Sequence, residues 1–416
     1  MRSPEPQTFL PLRHRVVRAG IWMTLLHVVT RGAAFIRNVV LARLLAPHDF
    51  GVFGIALVVL SIVERFGNTG LQAALVQKHG AVGEFLDGVW TIQAMRGAVL
   101  CGLLIVGATP IAALLGDTEA APFIIMLAVV VLLRGFHNPG MVLYQRELES
   151  NYQFVYRGSG AVVELITSTL FALVLRNAWA LAFGFVAAQL TVLLMSYVLH
   201  PYRPHVRLEW MQLRELSQFG RWIFLDNMLF FLAYRGDNLI VGKFLGPTAL
   251  GIYLLAYSIG EVVTVEISRV AREIALPAFS RVQTDVTRVR RMFTLGIDFV
   301  ACVAFPIAAV LAIMAVPLTN VVLGQRWTGV AEILPPLALA GAVRAIISNG
   351  TAAFTAVGQP ALAFQTNLVA AVVTYAAMLP LVRVFHLPGV AISVALGLIA
   401  ALVPYVFFAG RTMGIS

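Results

Sequence analysis

Four arginines sit inside runs of apolar sequence: Arg31, Arg96, Arg134 and Arg344. A charge at the centre of a membrane helix costs about 2.5–3.5 kcal/mol on insertion scales, so each one needs a task. A guanidinium is planar, permanently charged and able to hold two phosphate oxygens at once, so the chemistry these positions offer is anion binding in a cavity. The alternative for each is a salt bridge between helices, or a side chain that snorkels to the interface. Arg37, Arg235 and Asp237 lie nearer the outer ends of their helices, where Arg37 and Asp237 could pair as a gate. Glu164, Asp226, Glu261 and Glu266 are carboxylates within apolar stretches, suited to holding H⁺ or Na⁺, or else to pairing with Arg96 or Arg269.

Other chemistry is missing. No G-x4-G-K-[ST] loop occurs, which removes the commonest ATP site, and no histidine spacing suits a metal. Cys101 and Cys302 both lie in apolar stretches and build neither a disulfide framework nor a metal site. Asn349-Gly350-Thr351 matches a glycosylation sequon but falls at a helix end on the inner face. An enzyme is therefore not expected.

The elements that must position these side chains are set by composition. Of 416 residues, 59% are hydrophobic and 12% charged, about half the roughly 25% charge of soluble domains. Mean hydropathy is +0.86. A bilayer can solvate that much apolar surface, and an all-α polytopic membrane protein follows. Apolar runs between Gly, Pro and charge clusters predict about twelve transmembrane helices, at 20–43, 50–67, 88–108, 122–144, 157–175, 178–199, 218–240, 249–269, 294–316, 330–349, 362–382 and 388–408.

The net charge is +10, and only Lys78 and Lys243 among the cations are not arginine. On a membrane protein such basicity speaks of orientation and anionic lipid, not of nucleic acid. With the N-terminus inside, inner segments hold sixteen basic residues and outer segments five, namely Arg43, Arg176, Lys243, Arg326 and Arg383. Both termini are then cytoplasmic. Residues 1–19 read as a cytoplasmic tail, 20–200 as an N-lobe of six helices, 201–217 as an inter-lobe loop, 218–408 as a C-lobe of six and 409–416 as a second tail.

An internal repeat supports two lobes. Residues 38–56, NVVLARLLAPHDFGVFGIA, align without a gap on 238–256, NLIVGKFLGPTALGIYLLA. The shared pattern is N-x4-[RK]-x-L-x-P-x3-G-x4-A, and Asp237 falls at the repeat position of Arg37. A weaker echo pairs Arg134 with Arg344 and Gly140 with Gly350. Pro, Gly and Asn at fixed spacing are not what lipid solvation selects. An offset of six helices keeps the copies in one orientation, so the expected architecture is two pseudo-symmetric six-helix lobes around a central cavity, as in alternating-access transporters.

Residues 37–77, RNVVLARLLAPHDFGVFGIALVVLSIVERFGNTGLQAALVQ, resemble polysaccharide exporters of the multidrug/oligosaccharidyl-lipid/polysaccharide exporter superfamily. So do DNLIVGKFLGPTALGIYLLAYSI, ALPAFSRVQTD and VLGQRW in the second half. The resemblance is strongest to the O-antigen and exopolysaccharide flippases of the bacterial inner membrane. It implies a MATE-like fold and movement of an undecaprenyl-pyrophosphate-linked oligosaccharide to the outer leaflet through a cationic cavity. The partners it implies are this lipid-linked oligosaccharide, membrane lipids and a polysaccharide polymerase, for a protein acting as a monomer. The only accessory expected is a coupling ion, H⁺ or Na⁺. Many relatives carry fourteen helices where twelve are read here, so a lipid groove built from extra helices is not expected. The rival reading is a cation-coupled multidrug antiporter of the same superfamily. It wants acidic residues in the N-lobe, whereas helix 1 offers Arg31 and Arg37. A membrane glycosyltransferase would need a longer outer loop.

Overall fold

A computed structural model of the chain describes residues 12–67, 75, 83–207, 235–260, 286–356 and 359–413. Helices and the turns joining them make up these residues, with no strand among them. This is what lipid demands, because a helix satisfies its own backbone hydrogen bonds. Among the described residues, ten runs are long and apolar enough to cross a membrane. We label them α1 (Leu12–Leu44), α2 (Pro47–Gly67), α3 (Gly83–Leu114), α4 (Ala121–Gly135), α5 (Ser150–Leu175), α6 (Trp179–Leu199), α7 (Arg235–Gly260), α8 (Val286–Ile313), α9 (Thr328–Ala356) and α10 (Pro360–Met413).

Against the twelve spans expected, two of these ten runs fold back on themselves. In α7, Gly246 takes φ +82° immediately before Pro247. Tyr253 then donates to Asp237 Oδ2 at 2.6 Å. Sixteen residues of straight helix would hold those side chains about 24 Å apart, so the chain reverses at Gly246. In α10, His386 is left-handed (φ 49°) and joins two helices in a run of 54 residues. At 1.5 Å per residue that run would be roughly 80 Å long, more than twice the bilayer core.

The chain divides into two compact units. Unit 1 comprises Met1–Leu45 and Ala56–Leu229; unit 2 comprises Ala46–Ile55 and Phe230–Ser416. In unit 1, α5 packs along both α1 and α6, and α4 packs on α3 and α6. Small residues allow the closest approaches. A Cβ on Gly135 would stand 2.8 Å from the Gln93 carbonyl, and one on Gly184 would stand 2.5 Å from Ser168 Cβ. Membrane helices associate through such contacts, since lipid removes the hydrophobic drive between them. In unit 2, α8, α9 and α10 enclose a core that includes Phe293, Val300, Ala342, Phe354 and Tyr405.

The repeated Pro-x3-Gly turns both belong to unit 2, where they meet. A Cβ on Gly51 would lie 1.6 Å from the Pro247 carbonyl oxygen, and one on Gly251 would lie 2.0 Å from that of Pro47. Each glycine thus makes room for the other copy's proline. The helix beginning at Pro47 is capped by Asp49, which accepts from the Ala46 N–H at 2.9 Å.

Candidate functional site

Unit 1 contains a cavity of about 680 Å³. α5 supplies its longest wall: Gln153, Tyr156, Arg157, Gly160, Ala161 and Glu164, spaced at 3, 4, 7, 8 and 11 residues along one helix face. α3 adds Gln93, Arg96 and Leu100, again on one face; α4 adds Arg134, α2 adds Glu64 and α6 adds Gln189. His137, Asn138 and Met141 close the end beyond α4. These positions lie at the C-terminal ends of α2 and α4 and just beyond α4, in the middle of α6, and from the first half to the middle of α3 and α5.

Two ion pairs organise it. Arg134 pairs with Glu64 through Nη1, donates Nε–H to Gln189 Oε1 at 2.9 Å and lies 6.0 Å from the Phe185 ring centroid. Arg37 pairs with Glu164 and donates to Asn38 Oδ1 at 3.2 Å. Arg96 donates to the Gly67 carbonyl, and its Nε is buried without a hydrogen-bond partner among the described residues. Beyond the end of α4, Tyr156 Oη and His137 Nδ1 are 3.2 Å apart. Burial, reinforced by Arg134, pushes the His137 pKa down to about 4, so the imidazole is neutral at physiological pH.

The turn after α4 is held from below. Asn138 donates Nδ2 to the Tyr202 carbonyl at 2.8 Å, and its Oδ1 accepts from the Gly140 N–H at 2.9 Å. Residues 202–207 are strapped across the start of α3: Tyr202 Oη and the His205 N–H donate to Asp87, and the Arg207 N–H donates to Thr91 Oγ1 at 3.0 Å.

Of the arginines expected in a cavity, Arg96 and Arg134 line this one. Arg344 lies in unit 2, where it donates to Tyr257 Oη and borders pockets of about 20 and 10 Å³. Arg31, expected in a cavity between the lobes, is exposed on α1 and is not among the residues lining the unit 1 cavity. Arg37, expected at a gate with Asp237, is engaged by Glu164, while Asp237 is buried and accepts from Tyr253 and from its neighbour's N–H. Arg235 stands 5.6 Å from the Tyr257 ring centroid. Glu164, expected free or paired with Arg96 or Arg269, pairs with Arg37. Asp226, Glu261, Glu266 and Arg269 lie outside the described residues. Charge scanning missed Glu64, which sits near a helix end, and every uncharged polar group in the lining. The stripe on α5 was the available signal.

The model of a family described as polysaccharide biosynthesis protein matches residues 40–332, well over half of the chain. The chain belongs to this family. Its relatives include the lipopolysaccharide biosynthesis protein WzxC of Escherichia coli, 24% identical over 81% of this chain and 69% of that one. The succinoglycan biosynthesis transport protein ExoT of Rhizobium meliloti is 24% identical over 87% of this chain and 74% of its own. Among solved structures, the lipid II flippase MurJ in an inward closed conformation superposes with a TM-score of 0.75 at 11% identity, covering 94% of this chain and 87% of that one. An inward-facing MATE-family multidrug transporter gives 0.71 at 14% identity, covering 94% and 98%. The polysaccharide-biosynthesis chain thus has the MurJ/MATE transporter fold, and its multi-pass helical character agrees with that placement.

Proposed function

We propose that the protein is an alternating-access flippase. In this reading it carries an undecaprenyl-pyrophosphate-linked oligosaccharide from the inner to the outer leaflet for surface polysaccharide synthesis. The observation that carries it is the unit 1 cavity, in which Arg96, Arg134 and Arg157 face two carboxylates. Both carboxylates already hold an arginine, so the lining keeps an excess of positive charge. Guanidinium is suited to the diphosphate, and a cationic drug would be repelled. The family membership gives the direction of the glycan chemistry. Transport would draw on H⁺ or Na⁺ through Glu164, with Asp226, Glu261 and Glu266 as further candidates, or on the cargo gradient itself. The excess of basic residues in the segments read as inner supports a bacterial inner membrane with both termini cytoplasmic.

The test is reconstitution of the full chain in liposomes loaded asymmetrically with undecaprenyl-diphospho-oligosaccharide. Exposure of glycan to an impermeant glycosidase should rise with time and stop in Arg96→Ala. Efflux of a cationic dye without glycan exposure would replace this reading by that of a drug antiporter.

A further inference from the structure

Glu64 lines the unit 1 cavity, yet the helix that carries it does not belong to unit 1 alone. α2 runs without a break from Pro47 to Gly67, about 30 Å of helix. Its residues up to Ile55 count with unit 2, and those from Ala56 onward with unit 1. Each end is fastened within its own unit.

In unit 2 the fastening is steric. Gly51 sits against the Pro247 carbonyl with no room for a Cβ, and a Cβ on Gly54 would lie 2.4 Å from Leu254 Cδ1. The Phe50 ring meets the buried Trp327 edge-on, with centroids 5.0 Å apart. In unit 1 the fastening rests on two arginines. Glu64 pairs with Arg134, which is held in turn by Gln189 of α6. Arg96 of α3 donates to the carbonyl of Gly67, the last residue of α2. The last carbonyls of a helix have no partner within it, so Arg96 caps α2 and complements the negative end of its dipole. The Glu64 charge attracts Arg96 as well.

The two arginines that hold α2 are also cations that the cavity offers to an anion. A diphosphate that engages Arg134 takes the place of the Glu64 carboxylate, because the Nε edge of the guanidinium is already given to Gln189. The exchange is open to a cargo, since Glu64 and Arg134 both keep about a third of the side chain exposed. A diphosphate that engages Arg96 draws away the cap of α2. The displaced carboxylate then lies beside a cargo of its own sign, and like charges at close range repel. The loaded cavity thus disfavours the attached position of α2 and the empty cavity favours it. That difference is what a ligand needs in order to shift a conformational equilibrium. The far end of α2, seated backbone against backbone, follows as one piece with the helix, so the movement reaches unit 2.

Resting on the flippase reading, we propose that Glu64 is a positioning residue for cargo capture: it holds the C-terminal end of α2 against Arg134 and Arg96 until a lipid diphosphate displaces it, and the freed helix carries that event into unit 2. Glu64 competes with the cargo for the same guanidinium. Its loss therefore tightens binding and at the same time uncouples binding from the movement of α2. A purely structural ion pair behaves otherwise, because removing its carboxylate weakens the cavity or leaves its affinity alone.

The experiment uses the full chain in phosphatidylethanolamine/phosphatidylglycerol nanodiscs, with undecaprenyl diphosphate as the probe. Spin labels are placed at Ser61→Cys on α2 and Val198→Cys on α6, both in unit 1, in a Cys101→Ala, Cys302→Ala background that removes the two native cysteines. Saturating lipid should shift the distribution of distances between the two labels. Titration of unlabelled protein gives the Kd. Glu64→Gln should show the shifted distribution before any lipid is added. It should also bind about two- to fivefold more tightly than wild type, the fold-change that a partly solvated ion pair is worth. A label distance that saturating lipid leaves unmoved overturns the proposal whatever the variant does, as does a Glu64→Gln affinity equal to or weaker than that of wild type. If the lipid binds and either of those results is found, the flippase reading stands and the role of Glu64 falls. If undecaprenyl diphosphate binds no better than phosphatidylglycerol, both fall.

Discussion

Glu64 and Arg134, seventy residues apart, form an ion pair on the wall of the unit 1 cavity, with each side chain about one third exposed (32% and 33%). An arginine so placed can serve an anionic cargo only by exchanging its carboxylate. This sets it apart from Arg96, whose hydrogen-bond partner is a backbone carbonyl and whose Nε has no partner among the described residues.

Arg134→Ala should therefore lower the amount of folded protein in the membrane as well as its activity, because Glu64 loses its cation. Glu64→Gln with Arg134→Gln should recover much of the abundance, with a coupling on the order of 1 kcal/mol for a partly solvated pair. A double-mutant cycle on thermal stability in detergent measures it. Strictly additive effects would show that the pair is not a structural link.

Arg96 should behave in the opposite way. Arg96→Lys keeps the charge but loses the planar fork, and Arg96→Ala loses both. Charge-assisted hydrogen bonds are worth about 1.5–3 kcal/mol each, so Arg96→Ala should cut lipid-diphosphate affinity roughly ten- to a hundredfold. Arg96→Lys should fall between Arg96→Ala and wild type. Titration of undecaprenyl diphosphate against each protein gives the order, and equal affinity in all three would remove Arg96 from recognition.

His137 gives a pH signature. Its folded pKa of about 4 is below the ordinary value of 6.5, so between these the unfolded chain holds more protons than the folded one. The cost of burying the neutral ring is absent above pH 6.5 and grows as pH falls towards 4. Melting temperature should therefore drop between pH 7 and pH 5, and His137→Asn should flatten that part of the profile. Identical slopes for the two proteins would contradict the burial argument.

Gly51→Ala and Gly251→Ala should each destabilise unit 2, since the new methyl would meet a backbone carbonyl oxygen at 1.6 and 2.0 Å. Overpacking of this kind costs about 1–3 kcal/mol, occasionally more, and backbone cannot rotate away as a side chain can. Gly102→Ala is the control, because nothing lies within 4 Å of its added Cβ. Yield and melting temperature in detergent should fall for the first two and hold for the third.

Topology can be read by reporter fusions. Those after Ala46, Gly116 and Leu245 should report periplasm, and those at Arg207 and Arg288 cytoplasm, following the sixteen-to-five basic bias. A cytoplasmic signal at Leu245 would break the parallel arrangement of the two repeat copies.

Charge in an apolar run singles out Arg96 and Arg134, which line the unit 1 cavity, because burying guanidinium is expensive enough to demand a reason. It was blind to Gln93 and Gln189, which cost far less and leave hydropathy nearly unchanged. Helix limits drawn at charges erred for the same cause: α5 starts at Ser150, not 157, because Arg157 belongs to the cavity face and not to a loop. The span expected over 122–144 ends at Gly135, and Asn138-Pro139-Gly140 separates it from a short helix, Met141–Arg146. Proline disfavours helical backbone in the residue before it, a local rule that an apolar-run reading overlooks. α3 shows the converse, passing through Pro110 without ending, as membrane helices tolerate. Arg31 shows what periodicity alone leaves open: a helix has one face towards its neighbours, and the sequence of α1 does not say which.

The reciprocal seating of Gly51 against Pro247 and Gly251 against Pro47 also has a price in time. Residues 46–55 leave the ribosome two hundred positions ahead of the turn that receives them. At about 5–20 residues per second the early turn waits roughly 10–40 seconds for its counterpart. During biogenesis it must therefore sit in the membrane with its glycine notch unfilled. A nascent chain arrested before Gly251 would present that notch to whatever insertion factor or chaperone is at hand.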